Sequence, residues 1–305
     1  MIEVTTKLKE RFCKDCKVPI NLFKEPYFSD RIVLYDCMYN TIAKYDTFVR
    51  ELEKYTNEQC YLEDYNRVKD SAINSIKCSE GYERFNSEDM NKYGVKVDIT
   101  NKDIYKVTND SKEFISIDIV KANFSCLREY NPEIFGGAST WEEFISKFTY
   151  NKHIINSKYI RQVIMGNCNP KRQVTYEKYI MKKVLDSLGD HIKNVVFFSN
   201  DEIVLDITNI DDKDTYLEMV KYLVEDSVVP LKIERFTLHK IKGVDGFYKE
   251  GINGEIELKC VNSYTVPFIL RKIKNEEVTL SDRTFYHEGL LAEFKEIPNI
   301  EGINS

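Results

Sequence analysis

Two acidic positions, Asp118 and Asp201, stand where the chain could hold metal ions, because each follows an apolar run that gives way to a turn. Asp118 lies near the end of the run 114–119, and Asp201 follows Asn200 between the apolar runs 195–198 and 203–207. Phosphoryl transfer between nucleotides commonly uses two divalent metals about 3.5 to 4 Å apart, held by carboxylates from different chain segments. Asp118 and Asp201 meet that need if the second pair of runs lies beside the first. Oxygen ligands of this kind suit Mg2+ or Mn2+. Between them, helical spacing sets Lys158, Arg161, Gln162 and Met165 on one face and Ile160, Val163 and Ile164 on another. The polar face can then meet a triphosphate while the apolar face packs, with Arg161 as the expected contact. Lys171 and Arg172, just before the next helical pattern, are candidates for phosphate contacts.

The surrounding pattern supplies elements to carry these groups. The isoleucine-rich run 114–119 reads as a buried strand and 121–130 as a short helix. Gly136 and Gly137 break the chain, after which Thr140 and Glu143 form a capping-box pattern ahead of Trp141, Phe144 and Phe148. Further helices are expected at 155–166, at 173–188 and around Leu217, Val220 and Leu223, and a β-hairpin over 195–207 has Asp201 at its tip. Upstream, Ile32, Leu34, Met38, Ile42, Tyr45, Phe48 and Leu52 recur at helical spacing. The polar stretch 80–112 holds only a short strand candidate at 95–99. From 229 the sequence alternates and is broken by Gly243, Gly246, Gly251, Gly254 and Pro267. The expected fold is α+β: a mostly helical region 1–94, a central α/β module 95–228 with an antiparallel sheet, and a small β-rich region 229–305.

Three stretches resemble motifs of nucleic-acid polymerases. Asp118-Ile119-Val120-Lys121-Ala122-Asn123-Phe124-Ser125 is similar to the first palm motif of the family B DNA polymerases. Asn200-Asp201-Glu202-Ile203-Val204-Leu205 looks like the His-Asp-Glu motif of family A, with asparagine in the histidine place. Arg161-Gln162-Val163-Ile164-Met165-Gly166, lying between them, is similar to the family A fingers motif, with arginine for lysine and methionine for the aromatic residue. The order matches. The resemblance implies a palm in which Asp118 and Asp201 hold both metals, the carbonyl of Ile119 completes a site, and Glu202 lies near the primer end. The ligands so implied are a primer-template nucleic acid and nucleoside triphosphates. Asn123 occupies the place where these families carry a bulky residue that screens the sugar 2′-hydroxyl, so a ribonucleotide would meet less obstruction.

Composition narrows the alternatives without choosing among them. A net charge of −6 argues against a uniformly basic nucleic-acid coat, yet a local basic groove suffices for binding. No apolar run is long enough to span a membrane, and the polar opening MIEVTTKLKERF does not resemble a signal peptide, so a soluble cytoplasmic protein is expected. Eight cysteines without a secretory segment read as thiols, and the zinc-knuckle spacing of Cys13 and Cys16 has no second pair. The four histidines are isolated, and the Gly136-Gly137 pair lacks the rest of a phosphate loop. The small size would suit a phage or mobile-element enzyme. Two other readings stay open: a non-catalytic palm scaffold that binds a partner or nucleic acid, and a nucleotide cyclase. Aspartates at strand ends and hairpin tips are also ordinary turn residues.

Overall fold

In the computed structural model, which describes residues 3–99 and 103–303, the isoleucine-rich run becomes an interior strand of a six-stranded antiparallel sheet. Ahead of it come helices α1 (Thr6–Cys16), α2 (Tyr27–Leu34), α3 (Asp36–Tyr39), α4 (Thr41–Leu52), α5 (Glu58–Lys77) and α6 (Glu80–Ser87). Short polar side chains set several of their starts: Thr5, Asn57 and Ser79 accept the backbone N–H groups of Leu8, Cys60 and Tyr82, which would otherwise lack a partner. Their apolar faces bury Phe12, Phe48, Tyr61, Tyr65 and Phe85 in a cluster that runs on without a break into the rest of the chain.

The sheet consists of β1 (Lys112–Ile119), β2 (Val195–Phe198), β3 (Glu202–Asp206), β4 (Leu231–Lys240), β5 (Phe247–Gly251) and β6 (Ile256–Lys259), in the order β2-β3-β1-β4-β5-β6. Between β1 and β2 lie α7 (Ala122–Tyr130), α8 (Trp141–Ser146), α9 (Lys152–Asn156), α10 (Lys158–Gly166) and α11 (Pro170–Ser187), and α12 (Lys213–Leu223) joins β3 to β4. With α11 and α12 as the crossovers, the first four strands form a β-α-β-β-α-β unit of split β-α-β type. Residues alternate across a strand, so Ile115, Ile117 and Ile119 share one face with Ile203 and Leu205, and there they join Ile180 and Val184 of α11 and Leu217 and Val220 of α12. Phe114, Ser116 and Asp118 point to the opposite face. Toward the start of β1 that face is closed by Ile104 with Phe114, Val204, Phe236, Leu238 and Phe247; Asp118 lies toward the other end.

The fold is mixed α+β, as the patterning implies, and three details differ from the sequence reading. Residues 95–99 form no strand; Val97 and Ile99 pack against the main core without pairing to another segment. Strand β4, which the reading assigns to the C-terminal region, pairs with β1 from Lys112↔Leu238 to Ile119↔Leu231, so the sheet runs across the expected boundary at 228. Pro267 starts a helix instead of breaking one: it stands in the first turn of α13 (Val266–Ile273), where a missing N–H costs nothing.

The chain ends with α14 (Leu280–Arg283), β7 (Thr284–His287) and β8 (Leu290–Glu293). Asp282 ties this end to the beginning of the chain. It is buried, meets Arg31 of α2 at 2.9 Å and Arg271 of α13 at 2.9 Å, and accepts the Thr279 N–H at 2.7 Å. Arg31 also donates to the Ser281 carbonyl at 2.5 Å. No helix among the described residues is long and apolar enough to cross a membrane.

Removing one partner of a buried ion pair leaves the other charge without compensation, at a cost of about 3 to 5 kcal/mol. Asp282→Ala is therefore expected to lower the urea midpoint steeply with little change in slope. An unchanged midpoint would show that this contact adds nothing to stability.

Candidate active site

The pairing of β1 with its two neighbours decides which charges meet. Asp118 stands directly opposite Glu202 of β3 on one side and Lys232 of β4 on the other. Cross-strand partners share a face, so all three side chains project from the side of the sheet away from α11 and α12. Asp201 sits at the hairpin tip one residue before Glu202, and its carbonyl accepts the Ile119 N–H at 2.9 Å. Ser199 closes the tip: its N–H donates to the Glu202 carbonyl at 2.8 Å and its hydroxyl to the Asp201 carboxylate at 2.9 Å. Two carboxylates that are far apart in sequence are thus fixed on adjacent strands by backbone hydrogen bonds.

This placement costs electrostatic energy. Burial, then repulsion from Asp201 and Glu202, pushes the Asp118 carboxyl up to about 6, and Lys232 and Lys249 act in the opposite direction. Glu202 is also raised by burial, with Lys249 opposing the shift. Lys249 of β5 is itself buried; its Nζ lies 3.8 Å from Glu202 and 4.3 Å from the Phe236 ring centroid. Beside these groups a groove of about 580 Å³ is lined by Lys232, Glu234, Phe236, Lys249 and Glu257, so its charge is mixed.

A carboxylate with no local sequence signal joins the site from behind. Glu177, in the middle of α11, is 1% exposed. Its Oε1 accepts the Asn123 amide at 2.7 Å and its Oε2 the Asn200 amide at 2.6 Å. Burial pushes Glu177 up to about 7 and repulsion from Asp201 adds to it, whereas the two amides favour the charged form. The amide nitrogen of Asn123, the residue that the resemblance places near the sugar, is thereby committed to α11. Between Asp118 and Asn123 the chain turns through Lys121, which adopts a left-handed backbone conformation (φ 52°) at the start of α7. For a residue with a Cβ that conformation costs roughly 1 to 2 kcal/mol.

The remaining expected site residues separate. Lys121 holds Glu142 of α8 at 2.6 and 2.7 Å. Arg161 is half-buried and feels the charge of Glu142, and its guanidinium forms no hydrogen bond or ion pair among the described residues. Met165, read as part of the polar face, is buried with Ile160 and Ile164, because the apolar face of α10 is wider than the sequence pattern implies. Lys158 is exposed and borders a different groove with Cys16, Lys44 and Lys152. Arg172 is structural: it donates to the Phe85 carbonyl at 2.7 and 3.1 Å and to the Glu88 carbonyl, and it lies over the Phe85 ring. Lys171 is exposed. The side chain of Ile119 belongs to the core.

Helix α10 is held in place by a buried network. The Ser157 hydroxyl caps it by accepting the Ile160 N–H at 3.0 Å and donates to Asp15 of α1 at 2.9 Å. Asp15 also accepts the Tyr65 hydroxyl at 2.8 Å and meets His153 at 3.1 Å. The sequence pattern pointed to neither this network nor Glu177 and Lys232. Each is assembled from residues distant in the chain.

Among the described residues no three His, Cys, Asp or Glu side chains converge as a metal cage. Mg2+ is usually held by one or two carboxylates, with water and substrate phosphates completing its shell. Asp118 and Asp201, half-buried and mutually repelling, fit that incomplete donor set, since a cation between them would relieve the repulsion.

The raised Asp118 value has a sign that can be checked. Between about pH 4 and 6 the unfolded carboxyl is ionised while the folded one still holds its proton, so unfolding releases a proton and stability falls as pH rises. Asp118→Asn is expected to melt higher than wild type at pH 8, by roughly 1 to 3 kcal/mol, and to lose that advantage near pH 4. Equal melting at both pH values would rule out the repulsion. Compared with known proteins, the chain matches no protein family, no curated protein and no solved structure.

Proposed function

We propose that this chain is a metal-dependent nucleotidyltransferase of the palm type, which extends a nucleic-acid primer on a template from nucleoside triphosphates. The observation that carries the reading is the register that sets Asp118 opposite Glu202 on the sheet face away from the helices, with Asp201 at the adjoining hairpin tip. That arrangement, within a split β-α-β unit, is what two-metal phosphoryl transfer needs from its protein. Bound Mg2+ or Mn2+ would lower the charge on the reacting phosphate and favour the deprotonated primer hydroxyl.

The chain's own residues have positional and electrostatic roles. The primer 3′-hydroxyl oxygen bonds to the α-phosphorus, the bond from that phosphorus to the β-phosphate oxygen breaks, pyrophosphate leaves, and the hydroxyl proton passes to solvent. Asp118 and Asp201 hold the reacting centre in place and must be ionised to do so. Arg161, half-buried and with its guanidinium in no ion pair among the described residues, is suited to receive the triphosphate. Lys249 limits the negative charge of Glu202 near the primer end.

The test is primer extension with separate dNTP and NTP pools and with Mg2+ or Mn2+. Asp118→Ala and Asp201→Ala are each expected to reduce extension by at least about a thousandfold, and Arg161→Ala to raise the nucleotide KM about tenfold. At a metal concentration too low to saturate the site, the wild-type rate should climb as pH rises toward about 6, where the metal-free Asp118 gives up its proton. No extension under any of these conditions would overturn the reading in favour of a non-catalytic scaffold, and template-independent cyclisation of a nucleotide would favour a cyclase.

A further inference from the structure

We infer that Glu177 is a positioning residue that clamps the two metal-holding segments to each other. The inference rests on the nucleotidyltransferase reading above. Asn123 follows Asp118 by way of the left-handed turn at Lys121, and Asn200 immediately precedes Asp201. Each donates its amide nitrogen to a different oxygen of the same buried carboxylate, at 2.7 and 2.6 Å. On the sheet side, the distance between the two aspartates is set by the β1–β3 ladder and the Ile119 to Asp201 hydrogen bond. Beyond the end of that ladder, Glu177 hydrogen-bonds to both segments.

The chemistry of the side chain suits this task. A carboxylate presents two acceptors in one rigid plane, so a single residue on α11 can fix two donors from different segments. Glutamine offers one acceptor and one donor, and alanine offers neither. Two-metal chemistry tolerates little drift, because productive geometry must be held within about 0.5 Å. A second carboxylate on the same helix pair makes a natural control. Glu129 of α7 accepts the Tyr176 hydroxyl of α11 and makes no hydrogen bond to the hairpin among the described residues. It joins the same two helices without touching the segment that carries Asp201.

The experiment is a Mn2+ titration followed by water-proton relaxation, run beside primer extension on the full chain. Glu177→Ala is expected to raise the half-saturating Mn2+ concentration about tenfold or more, as loss of an outer partner of metal ligands commonly does. Asn200→Ala should act in the same direction from the hairpin side, Glu177→Gln should fall between wild type and Glu177→Ala, and Glu129→Gln should leave Mn2+ binding unchanged. If Glu177→Ala fails to fold, Asn200→Ala decides, since Asn200 is partly exposed. The clamp is overturned if Asn200→Ala and any folded Glu177 variant melt lower yet bind Mn2+ within about twofold of wild type. It is also overturned if the wild type binds no Mn2+ at all. A wild type that binds Mn2+ through Asp118 and Asp201 but extends no primer overturns the polymerase reading alone, because the clamp is still measured by the titration.

Discussion

Backbone hydrogen bonding between β1 and β3 holds like charges together that would separate in water. Each pair of that ladder is ordinary, yet the register as a whole leaves Asp118 no position except opposite Glu202 and beside Asp201. A shift of one residue would turn Asp118 into the helix-packed core and bring Ile117 and Ile119 out, so the apolar pattern of the strand enforces the acidic constellation at its end. Burial of the isoleucines outweighs the cost of holding Asp118 half-buried beside Asp201 and Glu202, which pushes its carboxyl up to about 6.

The rest of the site moderates that strain without abolishing it. Lys232 and Lys249 supply opposite charge from the two strands beyond β1, and the amides of Asn123 and Asn200 stabilise the charge on Glu177 behind. The helical layer contributes by fixing α10, whose N-cap Ser157 is held by Asp15 from the opening helix. The groups around the carboxylates thus come from β4, β5, α7, α11 and the β2–β3 tip. A site built on strands and helix ends is more rigid than one carried on loops.

Local patterns made the central elements readable. The isoleucine run, the paired apolar runs around Asp201 and the Thr140 cap each announce themselves within a few residues, and Thr140 does accept the Glu143 N–H at 3.0 Å. Contacts between distant residues left no such trace. Glu177 is one of several charged positions on α11, and its partners lie 54 and 23 residues away. Lys249 resembles the other scattered lysines until β5 is placed beside β4. Arg172 looks like a phosphate ligand in sequence and is instead taken up by the carbonyls at the end of α6. Pro267 was ambiguous for a different reason, since proline both ends helices and starts them.

The clasp between Arg31 and Asp282 bears on how the chain acquires its shape during synthesis. Arg31 emerges 251 residues before the carboxylate that it meets in the folded protein. Until then the helical layer carries a cation that has to stay in water, and the surface of α2 that Asp282 will cover stays hydrated. Residues on α14 therefore act on a helix made 251 residues earlier, and closure of this clasp waits until Asp282 has emerged.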